Sequence, residues 1–370
     1  MENRSESTPA KLLALFWEFF KISLFVVGGG YAIAAVANEV FGEKRKWLKK
    51  GEILDNLPVI SAIPGLIAGN TAIFTGLKTA GRIGALVALL GVALPSFIIF
   101  TAVSFFLGDL PRDNALLNGA FLGLRSALTG VVAATLFSAI RRKGIDWENG
   151  AGVELAPLSI RWRVISVAVF LAFVTVAAFC SWRTLAAFLG FGSICIGGGF
   201  PLVPFYDKVF VGEDALLIKL GAEEFSNLMA LTQMTPGPVS VNAATYFGFR
   251  LAGVSGGLIA TAALLMPSYF LMTAVLKGMH RFRKSRLMHA VIALLKPVAI
   301  MLMLIALWKF ASLSVWSIDA IGCVDVNPFA LLLAPSVTFL IARRKLSVMS
   351  AVALSAFLGV VFAACKYGII

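Results

Sequence analysis

Two cations lie in sequence where a charge is costly. Arg125 sits near the middle of an apolar run over residues 115–140, and Lys296, beside Pro297, sits near the middle of another over 287–310. A charge at mid-membrane depth faces a cavity, a partner or a substrate. Two cations with few acids in reach suit a divalent oxyanion, which an arginine fork can hold bidentately. Pairing with Glu18 or Glu224, or snorkelling to an interface, is the structural alternative. A second set of able residues surrounds two helix breaks. Pro64-Gly65 leads to Asn70, and Pro236-Gly237 leads to Asn242, with Thr232, Gln233, Thr235 and Ser240 crowding the second break. Proline removes an amide donor and disfavours helix before it, while glycine admits unusual dihedrals. The half-helix starts and asparagine amides beyond such breaks are uncharged groups that favour an anion. Helix–helix glue is the other use of a buried asparagine. The first break has only Ser61 and Thr71 nearby, so a site built on both is asymmetric.

This is chemistry of binding rather than of bond making. No nucleophile–base pair or metal-spaced cluster occurs at matching depth, so no enzyme and no cofactor is expected. His280 and His289 lack metal spacing, and Cys180, Cys195, Cys323 and Cys365 are scattered without a CxxC pair. The matched charges Lys78 and Arg250 read as loop-end charges rather than ligands, and Glu52 and Glu224 as solvated loop ends, with proton carriage the alternative for the two acids.

The elements that must carry these residues are membrane helices. Of 370 residues 59% are hydrophobic and 14% charged, with mean hydropathy +0.91, and several apolar runs reach the length that crosses a bilayer. That composition excludes an ordinary soluble domain. The net charge of +13 sits mostly in short loops, which fits positive-inside topology and not nucleic-acid binding. Residues 1–11 show no clear cleavage site, and Glu18 and Lys21 interrupt the first apolar run, so no removable leader is expected.

The chain repeats itself. Shifted by 172 residues, 52–99 aligns without gaps to 224–271, with thirteen identities in 48 positions, where composition alone gives roughly four. Pro64-Gly65, Asn70, Gly76, Gly81, Gly84 and Pro95-Ser96 meet Pro236-Gly237, Asn242, Gly248, Gly253, Gly256 and Pro267-Ser268. Arg125 lands one residue from Lys296. Upstream, Gly28-Gly29-Gly30-Tyr31 matches Gly197-Gly198-Gly199-Phe200. Two repeats are therefore expected, 1–182 and 183–370. Each holds five segments: A to E at 12–40, 52–77, 83–107, 115–140 and 164–181, then A′ to E′ at 184–205, 220–249, 254–276, 287–310 and 328–342. An extra F′ follows at 348–364. The glycine pairs 81/84 and 253/256 read as packing or turn residues.

Loop charge gives direction. Basic loops follow A, D, C′ and E′, whereas the C–D, A′–B′ and D′–E′ loops carry acids, so corresponding loops have opposite bias. The repeats are then of inverted topology. All basic loops stay inside if A and B are re-entrant hairpins, turning at Gly28–Gly30 and at Pro64-Gly65; five crossing segments per repeat is the open alternative.

The paired motifs Ile63-Pro64-Gly65…Asn70…Gly76-Leu77-Lys78 and Pro236-Gly237-Pro238…Asn242…Tyr246-Phe247-Gly248-Phe249-Arg250 resemble the chromate ion transporter family, of the long, two-domain type. The glycine motifs around Gly29 and Gly198 look like that family's other signature. The likeness runs from about residue 16 to about 309, and departs at Leu66 and Ser61, where the second copy has Pro238 and Gln233. It implies efflux of chromate, with sulfate as competitor, across the inner (plasma) membrane by a multi-pass protein. The expected fold is all-α, with helices broken or re-entrant at the Gly-rich and Pro-Gly motifs, working by alternating access. The oxyanion would be held by Arg125, Lys296, Asn70, Asn242, Gln233, the breaks at Pro64, Gly65, Pro236 and Gly237, and Gly29 and Gly198. The bilayer is a partner, a homodimer is a compatible assembly, and no nucleic acid or metal is expected. A passive anion channel, or a carrier of another small anion, is the alternative reading.

Overall fold

The computed structural model describes residues 9–26, 29–107, 114–141, 182–195, 198–213, 215–282, 286–318, 324–343 and 348–367. Segment E, the basic loop after D, Gly28, Gly197 and the side chain of Lys296 lie outside the described residues. The described chain is helical, in the order α1 (Pro9–Phe25), α2 (Gly29–Asn38), α3 (Glu52–Asp55), α4 (Leu57–Ala62), α5 (Ile67–Leu107), α6 (Ala115–Arg141) and α7 (182–194). It continues as α8 (Val203–Phe210), α9 (Ala222–Met234), α10 (Val239–Phe282), α11 (Arg286–Ser314), α12 (Pro328–Ala342) and α13 (Val348–Lys366). One departure from an all-α chain is a short antiparallel ribbon, Trp316–Ile318 against Val324–Val326. Aromatic and β-branched residues there favour extended backbone, and Asn327 N–H donating to Val315 O extends the pairing to the start of α12.

Among the described residues, three helices are long and apolar enough to cross a membrane, within α5, α6 and α10. α5 and α10 are each two helices joined at a kink. Ala80 and Gly81 leave helical dihedrals, with Gly81 at φ 66°, and Ala252 and Gly253 do the same, with Gly253 at φ 60°. The kink is a full reversal. Gly76 packs on the Gly84 carbonyl, and Gly69 approaches Leu89. In an unbroken helix Gly69 and Leu89 would stand about 30 Å apart. The second copy repeats this, with Gly248 against the Gly256 carbonyl and the Thr245 and Thr261 hydroxyls 2.8 Å apart. Small residues at the crossing let the antiparallel arms touch backbone to backbone. The later arm of α5, residues 82–107, is about 39 Å long at the helical rise, enough for a crossing.

The 172-residue repeat thus recurs in the backbone. Helix ends at Ala62 and Met234, restarts at Ile67 and Val239, and kinks at Gly81 and Gly253 all keep that offset.

The chain reverses twice more before α5. Lys11 lies over the Trp47 ring, Arg45 pairs with Glu18, and Phe19 stacks on Phe41 at 5.0 Å. A straight helix would hold Phe19 and Phe41 about 33 Å apart, so segment A turns back near its triple glycine. Segment B does likewise: Lys78, late in the arm that follows the break, pairs with Glu52 at the start of α3. That pair corrects the expectation of solvated loop ends, because the two side chains are only 15% and 12% exposed.

Two compact units emerge, each built from discontinuous stretches. One comprises 1–104, 145–199 and 236–296; the other comprises 105–144, 200–235 and 297–370. In the first, α1, α5, α7 and α10 bury Phe19, Phe74, Phe100, Phe188 and Phe247. In the second, α6 packs on α9, α12 and α13, with backbone contact at Gly119–Gly359 and Gly123–Ser355.

Candidate functional site

Both Pro-Gly breaks belong to the first unit, and their geometry follows from what proline removes. Pro64 has no N–H, so the Ile60 carbonyl loses its helical donor. Asn70, wholly buried one turn into the next helix, supplies the replacement. Its Nδ2 donates to Ile60 O at 2.9 Å and to Ile63 O at 3.0 Å. Because both partners are carbonyls, the orientation of the amide is determined by the bonds themselves. The remaining atom, Oδ1, is buried with no hydrogen-bond partner among the described residues. Gly65, at φ 129°, donates its N–H to Cys195 O at 2.5 Å.

The second break shares the backbone and differs in its polar groups. Gly237 has φ 100°, and the helix resumes at Val239. Asn242 is equally buried, and its Nδ2 lies 3.5 Å from Pro236 O, a longer contact than either amide bond of Asn70. The Thr232 and Thr235 hydroxyls donate back to Met229 O and Leu231 O in their own helix.

Serines from the kinked helices lie against these breaks in crossed fashion. A Cβ added to Gly65 would collide with Ser268 Oγ of α10, and one added to Gly237 would collide with Ser96 Oγ of α5. Ser268 and Ser96 are repeat mates, fully buried, and neither hydroxyl has a hydrogen-bond partner among the described residues. A side chain at either glycine is excluded twice, by the left-handed φ and by the serine. The triple glycines serve the same junctions. Gly30 abuts Ile67 and the Ala68 amide, and Gly199 abuts Val239 and Ser240, so each motif packs at the start of its own repeat's post-break helix. Gly29 opens α2, and Gly198 takes φ 117° next to Cys195, whose thiol donates to its carbonyl at 3.4 Å.

The structure therefore brings Pro64, Gly65, Asn70, Gly198, Pro236, Gly237 and Asn242 into one unit. Arg125 and Gln233 belong to the other. Arg125 is 11% exposed and pairs with Glu223 on α9 at 2.9 Å, the carboxylate being 68% exposed. The partner is thus neither Glu18, which binds Arg45 and Lys21, nor Glu224. Gln233 is buried with Nε2 unpartnered among the described residues. Ser96 and Ser268 were visible in the sequence only as matched Pro-Ser pairs; the signal was that a polar residue stayed identical between copies where most apolar neighbours changed.

Helices broken at buried Pro-Gly junctions, within apolar segments long enough to span a bilayer, define a helical membrane protein of the transporter type. The model of the chromate transporter family matches the chain twice, over residues 13–185 and 182–360. The chain belongs to the chromate transporter family. It is 25% identical to an uncharacterized transporter of Methanocaldococcus jannaschii, over 97% of this chain and 96% of that protein. Identity is 24% to a "probable chromate transport protein" of Synechococcus elongatus, over 71% and 75%. It is 23% to a chromate transport protein of Cupriavidus metallidurans, over 95% and 93%. No solved structure matches the chain.

Proposed function

We propose that this protein is a secondary transporter that exports chromate, with sulfate as a competing oxyanion, across the inner (plasma) membrane. Two inverted repeats, 1–182 and 183–370, alternate access to a site at their Pro-Gly breaks. The opposite loop charge of the repeats supports the inversion. The family matches that meet at 182–185 support the division. The closures Glu52–Lys78 and Glu18–Arg45 support re-entrant hairpins, since each returns a segment to the end it started from.

The observation that carries the reading is the crossed arrangement of the breaks, where each repeat's serine lies against the other repeat's glycine. A movement of one repeat against the other must change both junctions together, as alternation requires. Pro236, Gly237 and Asn242 face the anion at the second break, where the new helix start at Val239 and a buried amide favour negative charge. Pro64, Gly65 and Asn70 hold the first break in shape, Gly29 and Gly198 belong to the triple-glycine motifs that pack at the post-break helices, and Arg125, Gln233 and Lys296 add positive or polar groups for an oxyanion within their own units.

The test is radiolabelled chromate and sulfate flux in proteoliposomes, with and without a proton gradient. Saturable chromate flux that sulfate inhibits is the expected result. Flux that rises linearly with concentration would replace the carrier with a passive channel, and no flux of either anion would remove the substrate assignment.

A further inference from the structure

Within the second unit, α6, α12 and α13 enclose a cavity of about 500 Å³ at one end of their bundle. Arg125, Lys366, Asn118, Asn327, Phe362 and Tyr367 are among its lining residues. Two helices begin there, α6 at Ala115 and α12 at Pro328, so the positive ends of two macrodipoles meet the cavity. α13 ends there, and its last residue, Lys366, is a cation. Arg125 lies ten residues into α6, about 15 Å from the helix start, so the cavity runs from an exposed lysine to a nearly buried arginine.

The charge balance is positive. None of the lining residues is acidic. Glu223, outside the lining, engages one guanidinium nitrogen of Arg125, while Nε is buried with no hydrogen-bond partner among the described residues. Asp325 sits in the ribbon opposite Ser317, beside the lining residue Val326. The lining thus carries two cations and no acid, so an anion in the cavity meets net positive charge.

We propose that this cavity binds a tetrahedral oxyanion of the phosphate or sulfate type, with Arg125 at its floor and Lys366 at its mouth. The oxyanion is either free or the headgroup of an anionic lipid. This builds on the oxyanion reading of Arg125 and adds to it a residue, Lys366, and a chamber lined within one unit.

The test uses the full chain purified in detergent, titrated calorimetrically with sulfate and with inorganic phosphate. In parallel, native mass spectrometry of protein taken from phosphatidylglycerol nanodiscs counts retained lipid. Lys366→Gln and Arg125→Gln are each expected to weaken one of these ligands by about fivefold or more, as loss of a close charge pair does. Weaker titration identifies a free anion; loss of retained phosphatidylglycerol identifies the lipid. Arg125→Lys, which keeps the charge without the fork, should fall between wild type and Arg125→Gln. The exposed Lys366 variant keeps the test valid if Arg125→Gln fails to fold. Sulfate, phosphate and phosphatidylglycerol binding all within twofold of wild type in Lys366→Gln would overturn the proposal. Failure of the break-site reading would show separately, as intact flux in a break variant while these binding losses persist.

Discussion

The two Pro-Gly breaks share a backbone but hold it differently. At the first, Asn70 closes the gap left by Pro64 with two bonds of 2.9 and 3.0 Å, and Glu52–Lys78 ties the ends of the hairpin together. At the second, the equivalent asparagine makes a 3.5 Å contact to Pro236 O, and a second proline, Pro238, stands where the first copy has Leu66. The first is braced by Asn70 and by Glu52–Lys78; at the second, the proposed anion site, the amide contact is longer and Pro238 stands beside the helix start.

The sharpest way to strain that comparison is at the glycines. Gly65→Ala should cost about 3–5 kcal/mol, combining left-handed strain with a clash on Ser268. Gly237→Ala should cost about as much against Ser96, because here the copies are alike. Thermal or denaturant unfolding in detergent checks both, and a stable Gly65→Ala protein would refute the crossed packing.

Asn70→Ala comes next. It strips donors from two buried carbonyls and should destabilise by about 2–4 kcal/mol. Asn242→Ala, whose contact to Pro236 O is longer, should cost less than Asn70→Ala by the same measurement. Equal losses would erase the division of labour. Glu52→Gln leaves Lys78 largely buried without its counter-charge and should cost about 2 kcal/mol. The effect should weaken in Glu52→Gln combined with Lys78→Met, which removes the stranded charge.

The smallest effect on stability belongs to the serines. Neither hydroxyl has a partner among the described residues, so Ser96→Ala and Ser268→Ala should unfold within about 0.5 kcal/mol of wild type. A drop in flux at unchanged stability would then mark a role in transport and not in folding.

Much of this fold could be read from the chain. The repeat offset located the break at Pro236-Gly237 from that at Pro64-Gly65. It also located the reversal at Gly253 from that at Gly81, because glycine and proline act locally on the backbone. What escaped depended on residues distant in sequence. Nothing local says that Asn70 turns its amide toward Ile60, that Ser268 lies against Gly65, or that Arg125 finds Glu223 and not Glu18. The Glu52–Lys78 pair was mistaken for solvated charge for the same reason: burial of a helix-end ion pair depends on the arm that folds over it. The ribbon after α11 was missed because three-residue strands leave almost no periodic signal.

The central claim is that the second break handles the anion while the first holds the fold. Its most direct test is the concentration dependence of chromate flux in proteoliposomes for Asn242→Ala, with unfolding measured on the same preparation. The account predicts a KM raised by about tenfold, the worth of one hydrogen bond to a charged group, in a protein that still folds. An unchanged KM and unchanged maximal flux in a folded Asn242→Ala protein would contradict it.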